Sequence, residues 1–457
     1  MALTLALVVT FAIVSYYSEI DLLGLYLLLL ISHGVYIRLA GESFQNAPAI
    51  FGLFVILAVT IKRGNAYWKR RKINPNILSL FAALFAAMIL TAITGIDMEN
   101  SFFVMHLYMK GFILTLLIYL FVNRRSEIRK LAGYYLAGAL IGTTWIAYEY
   151  FTDTFSGGDE WTKRAAGLRE DPNETAMLMV VAIPLAWYFA SRAATPTTRV
   201  LYYAAVAAIM WGMALTGSRG GMLSTVVVLL MISMYRPSVG KGIGLILTFA
   251  LIIATAPGVL LDRTDQLIND NNLSEDQSVE SRANLLVSGL KVISEKPLLG
   301  VGPGNIGQAI IATHYYGGPD AEVPTSLYGQ KTIVAHNMFL EFFGESGIIG
   351  GTLFILLIYL ALRGYWRKYR TSDRNAGHFP LSYALLSGNI GFLFAGLFLS
   401  QGKESVLWFL LGIGLAYSDL VSKRKKRRKK SRRSHSRKPA SSRRRHKKSA
   451  SIGYSVK

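Results

Sequence analysis

The sequence contains no cysteine, which excludes disulfide bridges and thiolate metal centres. Charge is also scarce. Only 17% of the 457 residues are Asp, Glu, Lys or Arg, while 52% are hydrophobic. At a mean hydropathy of +0.36, the polar residues are too few to cover a water-soluble surface of this size. No internal repeat is evident, so neither a solenoid nor a simply duplicated transporter is indicated. A cleavable leader is not expected either. Met1 to Tyr17 is apolar but lacks a charged start and a small-residue cleavage site, and more apolar runs come after it.

Those runs are the main content of the chain. Stretches of roughly 17–25 apolar residues match the ~30 Å hydrocarbon core of a bilayer. In lipid they must satisfy their own backbone hydrogen bonds, so they are helices. They fall near Ala2–Tyr16, Asp21–Arg38, Ala47–Ile61, Ile77–Gly95, Phe102–Val122, Lys130–Tyr148, Ala176–Ser191, Val200–Thr216, Gly221–Met234, Gly242–Ala256, Gly347–Leu362, Pro380–Ser400 and Ser405–Leu420. The expected fold is an all-α polytopic membrane protein with 12 to 13 transmembrane helices, filling residues 1–422.

The formal charge of +22 does not describe this body. Seventeen of the 49 Lys and Arg residues lie between Lys423 and Lys448 with no acid among them, which leaves the rest of the chain at +5. Residues 423–457 read as a basic, Ser-rich tail that is expected to be disordered. It comes after a span, so anionic lipid headgroups are its nearer partner and no nucleic acid is expected.

Basic residues in short loops mark the cytoplasmic side. Lys62–Lys72, Arg124–Lys130 and Arg363–Arg374 are such loops, and the weaker pairs Arg192/Arg199 and Arg236/Lys241 agree with them. The alternating loops carry no comparable block. The tail is therefore expected in the cytoplasm and two long loops outside, at residues 150–175 and 257–346. The second is far longer than an ordinary connection. It contains an amphipathic stretch, Leu285, Leu286, Gly289, Leu290 and Ile293, ended by Pro297. Short helices lying on the membrane surface are expected there, although simple packing of the loop fits the same periodicity.

Four motifs fall on this outer side. The first runs from Lys163-Arg164 to Gly167 and continues as Asp171-Pro172-Asn173 into a helix. Alone, Arg164 reads as a snorkelling interface cation before it reads as an anion ligand. The second is Thr216-Gly-Ser218-Arg219-Gly220-Gly221, a near-loopless turn whose adjoining helix start suits phosphate. Taken alone, it reads as a capping turn with an interface arginine before it reads as a phosphate site. The third joins Arg282 to Gly300-Val-Gly302-Pro-Gly304-Asn305, a glycine turn without the Lys-Ser/Thr ending of a nucleotide loop. The fourth is His336-Asn337, with Glu341 and Glu345 four residues apart on one helical face, where a cation or water can be held. A histidine at a helix mouth can act as a base near neutral pH, though a lone histidine is more often structural.

In this order the motifs resemble the O-antigen ligase and polymerase superfamily of bacterial membrane proteins. The matching residues are Arg164, Gly167, Pro172, Asn173 and Ala176; Ser218-Arg219-Gly220; Arg282 with Gly300–Gly304; and His336, Asn337, Leu340, Glu345 and Gly347. The basic tail lies outside the pattern. The resemblance implies a metal-independent, inverting glycosyltransferase or ligase without a cofactor, in the bacterial inner membrane. Its donor is a polyprenyl-diphosphate-linked glycan and its acceptor a lipid, glycan or protein hydroxyl. In that reading Arg164, Arg219 and Arg282 hold the diphosphate, His336 is the catalytic base, and Asn173, Asn337, Glu341 and Glu345 support them. A transporter for the same lipids would instead concentrate charge at the midplane.

Two charged features stand apart. Lys110 lies in the middle of a span, where an interior structural pair is the expected reading. Asp97 and Glu99 form an acidic pair able to bind a hard cation, but two acids in a short loop usually just face water. The orientation is directly testable. Single cysteines replacing Ser156 and Ser326 should react with an impermeant maleimide in spheroplasts, while one replacing Ser126 should not. Labelling at Ser126 alone would reverse the topology.

Overall fold

A computed structural model gives the fold. It describes residues 10–11, 13–14, 16, 18–41, 47–70, 74–155, 164–167, 169, 171–238, 240, 242–247, 250, 277–316, 318, 334–372 and 378–436. The architecture is all-α, with no strand among the described residues. The helices that build it are α1 (Glu19–Ile31), α2 (His33–Ala40), α3 (Ala47–Arg70), α4 (Pro75–Thr94), α5 (Met98–Phe121), α6 (Arg125–Thr152) and α7 (Pro172–Arg192). They continue with α8 (Pro196–Leu215), α9 (Arg219–Met234), α10 (Gln277–Glu295), α11 (Ile306–Tyr316), α12 (Met338–Arg370), α13 (Leu381–Ala395) and α14 (Ser405–Ser436).

Among the described residues α4, α5, α7, α8 and α12 can each cross a bilayer by length and composition, and the bent pair α1–α2 adds a sixth if the pair counts as one span. The sequence reading of 12 to 13 spans exceeds this, for local reasons. The run Asp21–Arg38 is not one straight helix. It bends by 69° at Ser32, whose hydroxyl donates back to Leu28 O at 2.6 Å. Ile50–Lys62 in α3, α9, α13 and Ser405–Leu420 in α14 are apolar but short. Helix α6 is long, but its hydropathy is diluted by tyrosine, glycine and threonine. The runs Ala2–Tyr16 and Gly242–Ala256 lie largely outside the described residues.

Burial identifies the centre of the bundle. In α7, 78% of the apolar window is buried, against 39% in α8 and 44% in α4 and α5. Val406 to Leu411 of α14 are fully enclosed as well. These two helices form the core with α13, none of whose residues is exposed, while Leu78, Phe103, Leu201, Leu230 and Leu356 stand exposed on the outward faces of α4, α5, α8, α9 and α12. Helices α12 and α14 approach closely through small residues. A Cβ on Gly364 would lie 2.0 Å from Gly414 O, and one on Gly414 would lie 2.7 Å from Ala361. Lys110, expected in an interior pair, is instead exposed on α5 with no described partner. Its neighbour Gly111 is the residue pressed inward, against Trp408.

The helix α14 continues to Ser436, so the first part of the basic tail has a helical backbone. Residues 437–457 are outside the described set.

One span is broken by its own sequence. Gly347 in α12 has φ +62° and ψ −169°, a conformation that interrupts the helix. The carbonyls freed in the turn before the break need donors. The third motif supplies them: Val301 N donates to Gly344 O at 2.9 Å and Gly302 N to Glu345 O at 3.0 Å. Beyond the break, Ile348 N donates to Pro297 O at 2.8 Å. Gly300, Gly302 and Gly304 all have positive φ, which lets the strap lie flat on the break. Asn305, fully buried, fixes the strap to α5 by donating to Asp97 O and Ser101 Oγ, each at 2.9 Å. The amphipathic helix α10 packs above it. Val292, Val301, Ile306, Ile310 and Leu340 form a separate small core.

A Cβ at Gly347 would sit 2.2 Å from Leu298 O, backbone that cannot yield. Gly347→Ala should therefore cost about 3 kcal/mol or more. Gly133→Ala in α6, where the new atom meets only Phe189 at 3.7 Å, should be tolerated. Thermal unfolding of both variants in detergent checks this, and equal melting temperatures would refute the strap.

Candidate active site

The site is assembled at one end of the bundle, where four helices begin. Helix α7 starts at Pro172, with Asp171 as its cap. The Asp171 carboxylate accepts from Asn173 N at 2.7 Å and Asn173 Nδ2 at 2.9 Å. Asn173 Oδ1 accepts from Arg164 Nη2 at 3.1 Å, and Arg164 Nε donates to Thr216 O at 2.8 Å. Ala165 N donates to Leu215 O at 3.2 Å. Arg164 thus clamps the first motif to the second. Neighbouring bonds reinforce the clamp. Arg38 donates to Gly167 O, and to Arg169 O at 3.1 Å.

The second motif turns at Gly217, φ +61°, and starts α9. Ser218 Oγ accepts from Gly221 N at 3.2 Å, and Ser218 O accepts from Met222 N at 3.0 Å. Among the described residues, the N–H groups of Arg219 and Gly220 have no acceptor. The Arg219 side chain is exposed, with no hydrogen bond or ion pair among the described residues. A fork-shaped cation beside open helix-start N–H groups is the arrangement that suits phosphate oxygens.

The fourth motif is joined to this point through a single turn, residues 396–399. A Cβ on Gly220 would lie 3.6 Å from Phe398 Cβ, and Gly396 O accepts from Met338 N at 2.8 Å. His336, half-buried, precedes Met338 with φ +47°, a backbone region uncommon for residues other than glycine. The helix start beside it holds this backbone in place. Asn337 Oδ1 caps α12, accepting from Phe339 N at 2.9 Å and Leu340 N at 3.0 Å.

Glu341 and Glu345 do share a buried face, and the cation on that face belongs to the protein. Lys403 Nζ lies 2.9 Å from Glu341 Oε1 and 3.7 Å from Glu345 Oε1, and the Tyr108 hydroxyl donates to Glu345 Oε2 at 2.9 Å. Burial alone would lower the Lys403 pKa. Glu345 and Glu341 outweigh it and hold the ammonium above the usual lysine range. The next residue, Glu404, pairs with Arg169 at 3.2 Å, and Gln401 Nε2 donates to Glu174 at 3.3 Å. The loop 401–404 therefore joins α12 and α5 on one side to α7 and the first motif on the other.

Sequence reasoning does not single out Lys403, Glu404, Arg169 or Tyr108. The loop does carry a signal: four residues, two of them oppositely charged, between two apolar runs. Arg282 sits on α10, but its side chain is outside the described residues. The acidic pair is separated by role, since Asp97 caps α5 by accepting from Asn100 N at 2.9 Å.

Residues 203–355 match the family model described as O-antigen ligase. The match covers α8 to the first half of α12 and so includes the second, third and fourth motifs. The first motif and the 401–404 loop lie beyond it. No curated protein matches the chain.

Removing the Lys403 charge would leave two carboxylates enclosed without their counterion. Lys403→Met should destabilise the protein by about 3 kcal/mol, the lower end for breaking a buried pair, because the lysine is partly exposed. Adding Glu341→Gln should recover part of the loss. The check is thermal unfolding of the single and double variants, and an unchanged single variant would contradict the pairing.

Proposed function

We propose, from the match of residues 203–355 to the O-antigen ligase family model, that this chain belongs to that superfamily and transfers a polyprenyl-diphosphate-linked glycan onto an acceptor hydroxyl. The reaction takes place on the extracytoplasmic face of the cytoplasmic membrane. The observation that carries this reading is the placement of Arg219. An exposed guanidinium, without a partner among the described residues, stands at an open helix start, and one four-residue turn links it to the loop that presents His336.

These parts supply the chemistry. The acceptor oxygen attacks the anomeric carbon, the bond from that carbon to the diphosphate oxygen breaks, and the acceptor proton passes to His336. Polyprenyl diphosphate leaves with the bonding electrons, and a single displacement inverts the anomeric centre. Arg219 and the N–H groups beside it stabilise the charge that grows on the leaving diphosphate. Arg164 contributes less directly, since its clamp on Thr216 and Asn173 holds the Arg219 turn in place. Arg282 is a third diphosphate ligand in this reading. Cationic side chains carry the charge in this reading, and the step needs no metal or cofactor. A lipid A–core-like glycolipid is the acceptor we favour. Transfer to a second lipid-linked glycan, or to a protein hydroxyl, would be the same chemistry with a different product.

Activity per mole of folded protein is the measurement, with donor binding determined separately. His336→Ala should lower turnover by roughly 10²–10⁴-fold, the usual worth of a general base, with donor affinity nearly intact. Arg219→Ala should weaken donor binding and turnover together, and Arg219→Lys should restore only part, because an ammonium lacks the fork. Near-normal specific activity in both alanine variants would refute the site. Mass analysis of the wild-type product distinguishes the three acceptors.

A further inference from the structure

The opposite end of the bundle has a feature that the transfer reaction does not use. A cavity of about 650 Å³ opens where the first turns of α6 and α13 meet the last turns of α7 and α12. Arg125, Arg129, Arg192 and Lys368 line it together with His378, and among the described residues no Asp or Glu does. An excess of basic residues at this end is ordinary for a membrane protein. Their convergence around one half-open cleft is not required by that rule, because like charges in short loops lower their energy by spreading apart.

Three further observations point to a ligand. Lys368 is only 5% exposed, and its ammonium donates to Ser372 Oγ at 2.9 Å, so a cation has been brought inside the wall. Ser382 is 2% exposed and lines the cavity, and its hydroxyl has no hydrogen-bond partner among the described residues. Helix α13 starts after Pro380, which offers no side-chain cap, so its first N–H groups and positive dipole end meet the cavity uncapped. Glu127, in the first turn of α6 beside the lining residue Ser126, is committed to backbone. It accepts from Asn123 N at 2.6 Å and Arg124 N at 2.9 Å.

We propose that this cavity binds a phosphate-bearing anion at a site separate from the candidate active site. Guanidinium forks, a buried ammonium, a hydroxyl donor and an uncapped helix start are together complementary to phosphate oxygens. Phe379 and Leu381 add apolar wall beside them. The same chemistry is carried by a phospholipid headgroup and by a free phosphate compound. In the orientation that the basic loops imply, this end faces the cytoplasm, where both are present.

The test uses the full chain in nanodiscs, with melting temperature as the readout. One arm adds inorganic pyrophosphate to phosphatidylcholine discs. The other replaces part of the phosphatidylcholine with phosphatidylglycerol. At least one should stabilise the wild-type protein, and which one does so identifies the source. Arg129→Gln/Arg192→Gln should weaken apparent affinity about tenfold or more. Arg199→Gln/Arg370→Gln removes two exposed charges that do not line the cavity and should leave affinity unchanged. Ser382→Ala alters no charge and should still weaken binding severalfold, so it carries the test if the arginine pair does not fold. The proposal fails if neither probe stabilises the protein, if the two arginine pairs lose affinity equally, or if Ser382→Ala binds as the wild type does.

Discussion

The ammonium of Lys403 between Glu341 and Glu345 is the contact on which the arrangement of this end depends. Two carboxylates on a buried helix face repel one another and lose solvation, so α12 cannot pack there without a cation. The lysine that supplies it arrives on the loop between α13 and α14 and draws Gln401 and Glu404 into place against Glu174 and Arg169. One four-residue loop thereby sets the distance between the start of α7 and the start of α12. The first and fourth motifs, far apart in sequence, are held by it on either side.

Around this fixed centre, polar groups divide into those that are satisfied within the protein and those that are not. Arg164, Asn173, Asn337, Asn305 and Glu341 have described partners, and their bonds shape loops and start helices. Arg219 has none and faces outward. That contrast separates groups spent on the scaffold from the one the scaffold leaves open among the described residues more sharply than residue type does. It also reassigns the glycine strap. Residues 300–305 are occupied in sealing the break at Gly347, so the third motif supports the site by keeping the first turns of α12 at a set angle to the rest.

The membrane class, the course of most helices and the four motifs are legible in the sequence, because apolar run length and helix-start signals are local. The tertiary roles are less so. Glu341 and Glu345 are readable as a cation-holding pair from their spacing alone, but the identity of that cation depends on a residue about sixty positions away. Asn337 and Asp97 read as a supporting residue and a possible metal ligand, and both are helix caps. Capping competes with ligation for the same carboxylate or amide oxygen, and only the backbone geometry decides between them. The bend at Ser32 is hidden for a similar reason, since a serine inside an apolar run gives no sign of where its hydroxyl will turn.

The break at Gly347 also bears on how the chain is made. Its open carbonyls accept from the N–H groups of Val301 and Gly302, which leave the ribosome before the segment that needs them. The donors are thus already outside the translocation channel when the broken helix reaches the bilayer. The buried stretch of α14 comes later still, and it fills the space between α12 and α5. Until it enters, the interior faces of both helices, Trp408's pocket against Gly111 among them, are open to lipid. Biogenesis of this protein therefore closes from its C-terminal end, and a chain released before residue 405 would lack one of its core helices rather than a peripheral one.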